Sequence, residues 1–169
     1  MSEKYFGKYR GMVINNVDPM QIGRIQVQVP DIAGLVPGTW AMPCVPVAGL
    51  QTGMFAVPPI GAGVWVEFEQ GDPDYPIWIG CYWGTKADVP ALAAMVTPPV
   101  SGFAFQTVLQ NGLVVTDLPG PTGGIMLKSP AGAAIIVNDT GIYIQNGQGA
   151  SITLTGPTVT VNQGALVVT

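Results

Sequence analysis

From Gly123 onward the chain keeps a beat of two apolar residues separated by one, broken by Gly, Asn and Thr. The pairs are Ile125/Leu127, Ile135/Val137, Ile142/Ile144, Ile152/Leu154, Val159/Val161 and Leu166/Val168. Residues i and i+2 of a strand share a face, so each pair points one way while Met126, Ile136, Tyr143, Thr153, Thr160 and Val167 point the other. Successive pairs begin 10, 7, 10, 7 and 7 residues apart, which leaves room for one short strand and one corner per step. Such a unit cannot bury its apolar side alone, and stacking along one chain leaves ladder edges that invite another chain to pair.

Two architectures answer this demand. A single-chain solenoid has coils that are usually longer than these steps, whereas an intertwined prism takes one short strand per layer from each of several chains. The short period favours the prism, with three apolar faces meeting on a central axis. Gly132, Gly141, Gly147, Gly156 and Gly164 then occupy tight corners, and outward Thr residues supply β-propensity without apolar exposure. Six layers at roughly 4.8 Å make a shaft about 29 Å long. A Gly-rich tail without fixed structure is the competing reading, and the persistence of the alternation through all six units argues against it.

Charge density divides the chain. Charged residues make up only 9% of it, against about 25% in an ordinary soluble domain. Beyond Pro90 only Asp117, Lys128 and Asp139 remain, and the last two are candidates to pair across chains. So few charges imply a surface largely covered by partners. No apolar run approaches the roughly 18 to 20 residues of a membrane span, so the chain is not expected to be an integral membrane protein. The opening Met1-Ser2-Glu3-Lys4-Tyr5 lacks the basic and apolar regions of a secretory leader, which points to folding in the cytoplasm. Cys44 and Cys81 are too few for a disulfide framework and lack metal-ligand spacing, so both read as small buried hydrophobes.

In the first ninety residues, Tyr9 to Ile14, Arg24 to Val29, Trp40 to Val47, Val64 to Glu69 and Ile77 to Tyr82 are rich in β-branched and aromatic residues. Turn chemistry separates them: Asn16-Val17-Asp18-Pro19, Pro30-Asp31, Pro58-Pro59-Ile60-Gly61 and Gly71-Asp72-Pro73-Asp74. Five short strands in so little chain suit a small closed barrel, since closure removes exposed edges. The organisation expected is therefore a barrel over 1–85, a connector over 86–122 and a needle over 123–169. The connector carries a helical turn or two from Asp88 to Met95, stopped by Pro98-Pro99, then isolated strands at Phe103 to Thr107 and Leu113 to Thr116.

A barrel followed by a needle brings particular strings into view: Tyr5-Phe6-Gly7-Lys8-Tyr9-Arg10-Gly11, Asp18-Pro19 leading to Gly23-Arg24-Ile25-Gln26-Val27-Gln28-Val29-Pro30, and Trp40-Ala41-Met42-Pro43-Cys44. The stretch from Pro58 to Gly80 is the most specific, followed by Gly124-Ile125-Met126-Leu127-Lys128 and Asn138-Asp139-Thr140-Gly141-Ile142-Tyr143-Ile144. Over nearly its whole length the chain resembles the central spike proteins of contractile phage tails, the baseplate assembly protein V family, akin to the spike of type VI secretion. The resemblance implies an all-β chain with an OB-type barrel and a C-terminal intertwined, homotrimeric β-helix. It further implies docking of the barrel under a hub at the end of the tail tube, with sheath contraction driving the needle through the target cell envelope. The resemblance likewise implies a place in a virion tail baseplate or an injection particle, assembled in the bacterial cytoplasm.

Two departures from relatives carry expectations. Some members hold a lysozyme domain between barrel and needle, for which the connector is too short, so no peptidoglycan digestion is expected. Others close the tip with a His-x-His iron site, whereas this chain has no histidine and reads Leu166-Val167-Val168-Thr169 at its end. A separate capping protein of the Pro-Ala-Ala-Arg repeat (PAAR) type is the expected tip.

No catalytic, cofactor or metal residues are assigned, and the chain is expected not to be an enzyme. Glu67 and Glu69, at i and i+2 of one expected strand and about 6.6 Å apart, approach the spacing of an inverting glycosidase pair. They lack a sugar-cleft signature and read as a solvated face. Lys4, Lys8, Arg10 and Arg24 cluster early, yet six basic residues and a net charge of −4 do not make a nucleic-acid groove. They read as a docking rim for the hub. Trp40, Trp65, Trp78 and Trp83 read as core or interface. A trimeric tail-fibre segment or carbohydrate-binding β-protein is the alternative function.

Overall fold

Alternation with one wet face, short strands and abundant turn residues produce an all-β chain in two compact units, Met1–Asp88 and Val89–Thr169. A computed structural model describes residues 3–32 and 39–168. The side chain of Val167 and residue Thr169, both used in the sequence reading, lie outside the described residues.

In the first unit, β1 (Tyr9–Asn15), β2 (Ile25–Gln28), β3 (Trp40–Pro43), β6 (Gly63–Phe68) and β7 (Pro76–Tyr82) close a barrel in the order β1-β2-β3-β7-β6. A small hairpin of β4 (Ala48–Gly49) and β5 (Thr52–Gly53), which the sequence reading with its strand from Trp40 to Val47 does not anticipate, stands apart from the barrel ladder. The neighbours pair antiparallel except β3 and β7, which run parallel. Alternate residues of β6, Val64, Val66 and Phe68, point inward and pack with Val13, Ile25, Val27, Val29, Ile32, Ala41 and Trp78. The expected OB-type barrel is borne out.

The 16–24 loop is held by one carboxylate. Asp18 Oδ1 accepts from the Met20 N–H and from Arg24 Nε and Nη2 (2.7 Å to Nη2), while Oδ2 accepts from the Ile22 and Arg24 N–H groups. The Asp18 side chain is 4% exposed. The Arg24 guanidinium, and after it those backbone donors, hold the Asp18 carboxyl far below the usual carboxylate range, against the burial that by itself raises it. The Arg24 guanidinium also lies over the Trp40 ring, which ties the loop to β3.

The second unit is a single eight-stranded sheet made of β8 (Gly102–Gln106), β9 (Gly112–Thr116), β10 (Gly124–Lys128), β11 (Ala133–Asn138), β12 (Gly141–Asn146), β13 (Ser151–Thr155), β14 (Thr158–Val161) and β15 (Leu166–Val168). Strand order follows chain order, and every neighbour pair is antiparallel. The two strands expected to stand isolated in the connector, β8 and β9, join this sheet, so the boundary expected near Gly123 falls inside it. The expectation of strands paired with other chains differs from what is seen, because each described strand folds back on its predecessor. The reason is local: Asp139-Thr140 and Gly156-Pro157 are two-residue connections, which suit a hairpin and do not reach around an axis.

Side chains and glycines fix those corners. Asn138 Oδ1 accepts from the Thr140 and Gly141 N–H groups and from the Thr140 hydroxyl, while its amide donates to the Pro121 carbonyl. All five glycines assigned to corners have positive φ. At Gly124 (φ 80°) a Cβ would collide with the carbonyl oxygen of Val137, so only glycine lets β10 start that close to β11. A short 3₁₀ segment, Ala91–Val96, covers one face of the sheet at β8 and β9, where Val114 and Thr116 are buried and the Thr116 hydroxyl donates to the Met95 carbonyl.

Because Asp18 is buried and multiply bonded while Asp72 shares its exposed ion pair with Lys4, Asp18→Asn lowers the melting temperature far more than Asp72→Asn. The Asp18 contribution is complete above the unfolded carboxylate range of about 4 and declines as pH falls below it toward the depressed native value. Thermal melts of both variants and wild type from pH 7 to pH 2 check this, with the gap between wild type and Asp18→Asn closing on the acid side.

Candidate functional site

Antiparallel register aligns the apolar pairs of successive strands into two continuous columns on one face of the sheet. One column runs Phe103, Val115, Ile125, Val137, Ile142, Leu154, Val159, Val168; the other runs Phe105, Leu113, Leu127, Ile135, Ile144, Ile152, Val161, Leu166. All twelve residues named from the sequence beat lie on this one face. The structure adds Phe103, Phe105, Leu113 and Val115, whose own i, i+2 spacing carries the same signal. Phe103 and Phe105 pack ring to ring, with centroids 5.6 Å apart, at the β8 end.

Among the described residues of this unit, no element covers this face. Exposed apolar members range from Ile142 at 36% to Leu166 at 57%, while the alternate residues Met126, Ile136 and Tyr143 are half-buried. Removing a Val, Leu or Ile side chain from water contributes about 1.5–3 kcal/mol, and a contiguous apolar patch of this extent marks an interaction surface. Neighbouring strands make their ladder hydrogen bonds within the chain, so association over this face acts through side chains. An apolar sheet face requires a second layer.

The barrel residues singled out from sequence distribute differently. Lys4 pairs with Asp72 at 3.2 Å, Lys8 with Glu67 at 2.6 Å and Arg24 with Asp18, while Arg10 lies over Trp65 and Tyr82 at 5.5 Å from each ring. The supposed basic rim is thus engaged within its own barrel. Glu67 ends in that ion pair on β6, whereas Glu69 opens a 3₁₀ turn after the strand, so the two do not share a strand face. Both cysteines are free and exposed, which corrects the expectation of buried thiols: Cys44 follows β3 and Cys81 lies near the end of β7, away from the packed barrel centre. Of the tryptophans, Trp78 is core, its Nε1 donating to the Gly23 carbonyl. Trp65 and Trp40 lie half-buried under arginines, and Trp83 is 63% exposed. Among the described residues no three His, Cys, Asp or Glu side chains gather as a metal site.

An apolar surface of the barrel unit flanks the β4–β5 hairpin. Met42, Val47, Met54 and Phe55 are exposed, and Leu50 at the hairpin tip is 96% exposed. No charged residue occurs between Asp31 and Glu67. The sequence signal is this uncharged run, in which the residues just beyond Val47 read as no strand.

A closed OB-type barrel and a meander sheet with a bare apolar face define a protein that assembles through its C-terminal unit. Residues 9–83 match the type VI secretion system/phage-baseplate injector OB domain, and residues 102–167 match the phage baseplate V C-terminal trimerisation domain. Together these matches take in most of the chain, which belongs to the phage baseplate V family of baseplate spike proteins. The trimerisation match supports a homotrimer, and the family places the protein in the tail baseplate. No curated protein matches the chain.

Ile144 sits at mid-column and Thr153 on the opposite face. Ile144→Asp therefore converts the assembled species to monomer or aggregate in sedimentation, whereas Thr153→Asp leaves the assembly unchanged.

Proposed function

We propose that the protein is the non-enzymatic central spike of a contractile tail, working as a homotrimer that transmits axial force to a point. The observation that carries this reading is the pair of uninterrupted apolar columns over eight strands. Three such faces packed together give a dry core along the stack, and bending the shaft breaks many contacts at once. Eight strands at roughly 4.8 Å spacing span about 34 Å from first to last. The scarcity of charge lowers the cost of crossing an envelope, since a charged side chain at a bilayer centre costs at least about 2.5 kcal/mol.

In this reading the barrel docks under the tube hub. The closed barrel offers no free strand edge for pairing, and its charged side chains are largely engaged at home, so the apolar hairpin around Leu50 is the docking element. The opposite function, engagement of the target envelope, belongs to the β15 end, and sheath contraction supplies the drive. There β15 is the sheet's edge strand among the described residues, with Leu166 and Val168 more than half exposed. A PAAR-type tip protein seats on that edge and covers it. Neither nucleic acid nor a cofactor enters this mechanism, and assembly takes place in the bacterial cytoplasm.

Co-purification with a tail-tube hub protein tests the docking step. The expected result is retention of a trimeric spike on the hub, lost in Leu50→Asp while sedimentation of that variant stays trimeric. A hub bound equally well by Leu50→Asp defeats the hairpin assignment, and a wild-type chain that sediments as a monomer defeats the spike reading itself.

A further inference from the structure

The two lateral edges of the eight-stranded sheet differ chemically. One edge, where β10 ends, carries Gln106, Lys128, Ala134 and Gln145 beside turns of four or five residues. The other, where β10 begins, carries the two-residue turns and holds Asp117 and Asp139. These three are all the charges beyond Pro90, so a cation marks one edge and two carboxylates the other.

The lysine edge is incomplete in one chain. Lys128 is half-buried and has no ion or hydrogen-bond partner among the described residues. Ser129 next to it has a buried hydroxyl oxygen that is likewise unpartnered. Both border a shallow groove of about 660 Å³ that continues past Leu127, Ile135 and Ile144 on the apolar face. On the aspartate edge, Asp139 is exposed, and one carboxylate oxygen accepts from the Gly120 N–H at 3.1 Å, which orients the group and leaves its remaining acceptor positions open.

We propose that Lys128 forms an ion pair with Asp139 of the next copy of this chain, and that this contact sets the copies parallel and in register around a closed ring. The proposal rests on the homotrimer reading. In a three-fold cyclic assembly every interface is heterologous, so the lysine edge of one copy meets the aspartate edge of the next. Two sheets facing each other antiparallel about a two-fold axis along the strands would set lysine edge against lysine edge and aspartate against aspartate, which charge disfavours. Lys128 ends β10 and Asp139 opens the turn between β11 and β12, between one and two strand spacings away, or about 7 Å along the stack. A flexible four-carbon stem covers that offset. Since Lys128 is the last residue of its strand, the ammonium lies at a corner where two sheets meet.

A charge-reversal cycle on the full chain tests this. Lys128→Glu and Asp139→Lys each accelerate trimer dissociation by about two- to fivefold per pair, and the double variant returns to the wild-type rate. Lys128→Gln, which removes only the charge, gives the smaller part of the loss and separates lost pairing from lost fold. Single variants that match wild type, or a double variant whose losses add, overturn the ion pair while leaving the trimer standing. A monomeric wild type overturns both.

Discussion

Strand register is the constraint on which the second unit depends. Side chains alternate faces with every residue, so a slip of one position between any two neighbours would move a whole pair to the opposite face and break both apolar columns. The corners hold that register. Asn138 closes the β11–β12 turn and reaches across to Pro121, binding two successive corners on the same edge, and Gly124 allows an approach that any Cβ forbids. With these in place, sixteen apolar side chains from eight separate strands act as one surface.

The beat in the sequence carried more than its period first suggested. The alternation of longer and shorter steps through the first five pairs reflects two turn lengths: four-residue turns on the lysine edge and two-residue turns on the aspartate edge. That pattern is a hairpin signature, and reading it as a winding prism put the ladder bonds between chains where the described strands make them within one. Which side chains share a face was legible because it follows from local alternation alone. Where the sheet begins was not, since Phe103/Phe105 and Leu113/Val115 sit among Pro, Gly and an uneven loop that mask the period.

In the barrel, strand positions were legible from β-branched runs and turn residues, and an inner face is legible in the alternation of Ile25, Val27 and Val29 with Arg24, Gln26 and Gln28. Pairing was not. Lys8 and Glu67 lie 59 positions apart, and nothing local announces that closure of β1 against β6 brings them together. Three of the four members of the apparent basic cluster end on carboxylates, Lys4 on Asp72 and Lys8 on Glu67 through long-range contacts and Arg24 on Asp18 within one loop. Asp18 illustrates the opposite case: its partners lie within six residues, and Asp-Pro followed by Gly-Arg is a local turn whose chemistry is visible in the string.

That each ladder closes on itself has a kinetic consequence. Three chains whose strands pair only with one another must meet before any of them can fold, which makes folding third order in a dilute species. A chain that zips its hairpins successively uses local contacts and can complete its backbone alone. Assembly is then the docking of finished sheets, fast when subunits are made side by side on one message and slow when they are scattered. The interval between the two events is the period in which the bare apolar face is most exposed to wrong partners.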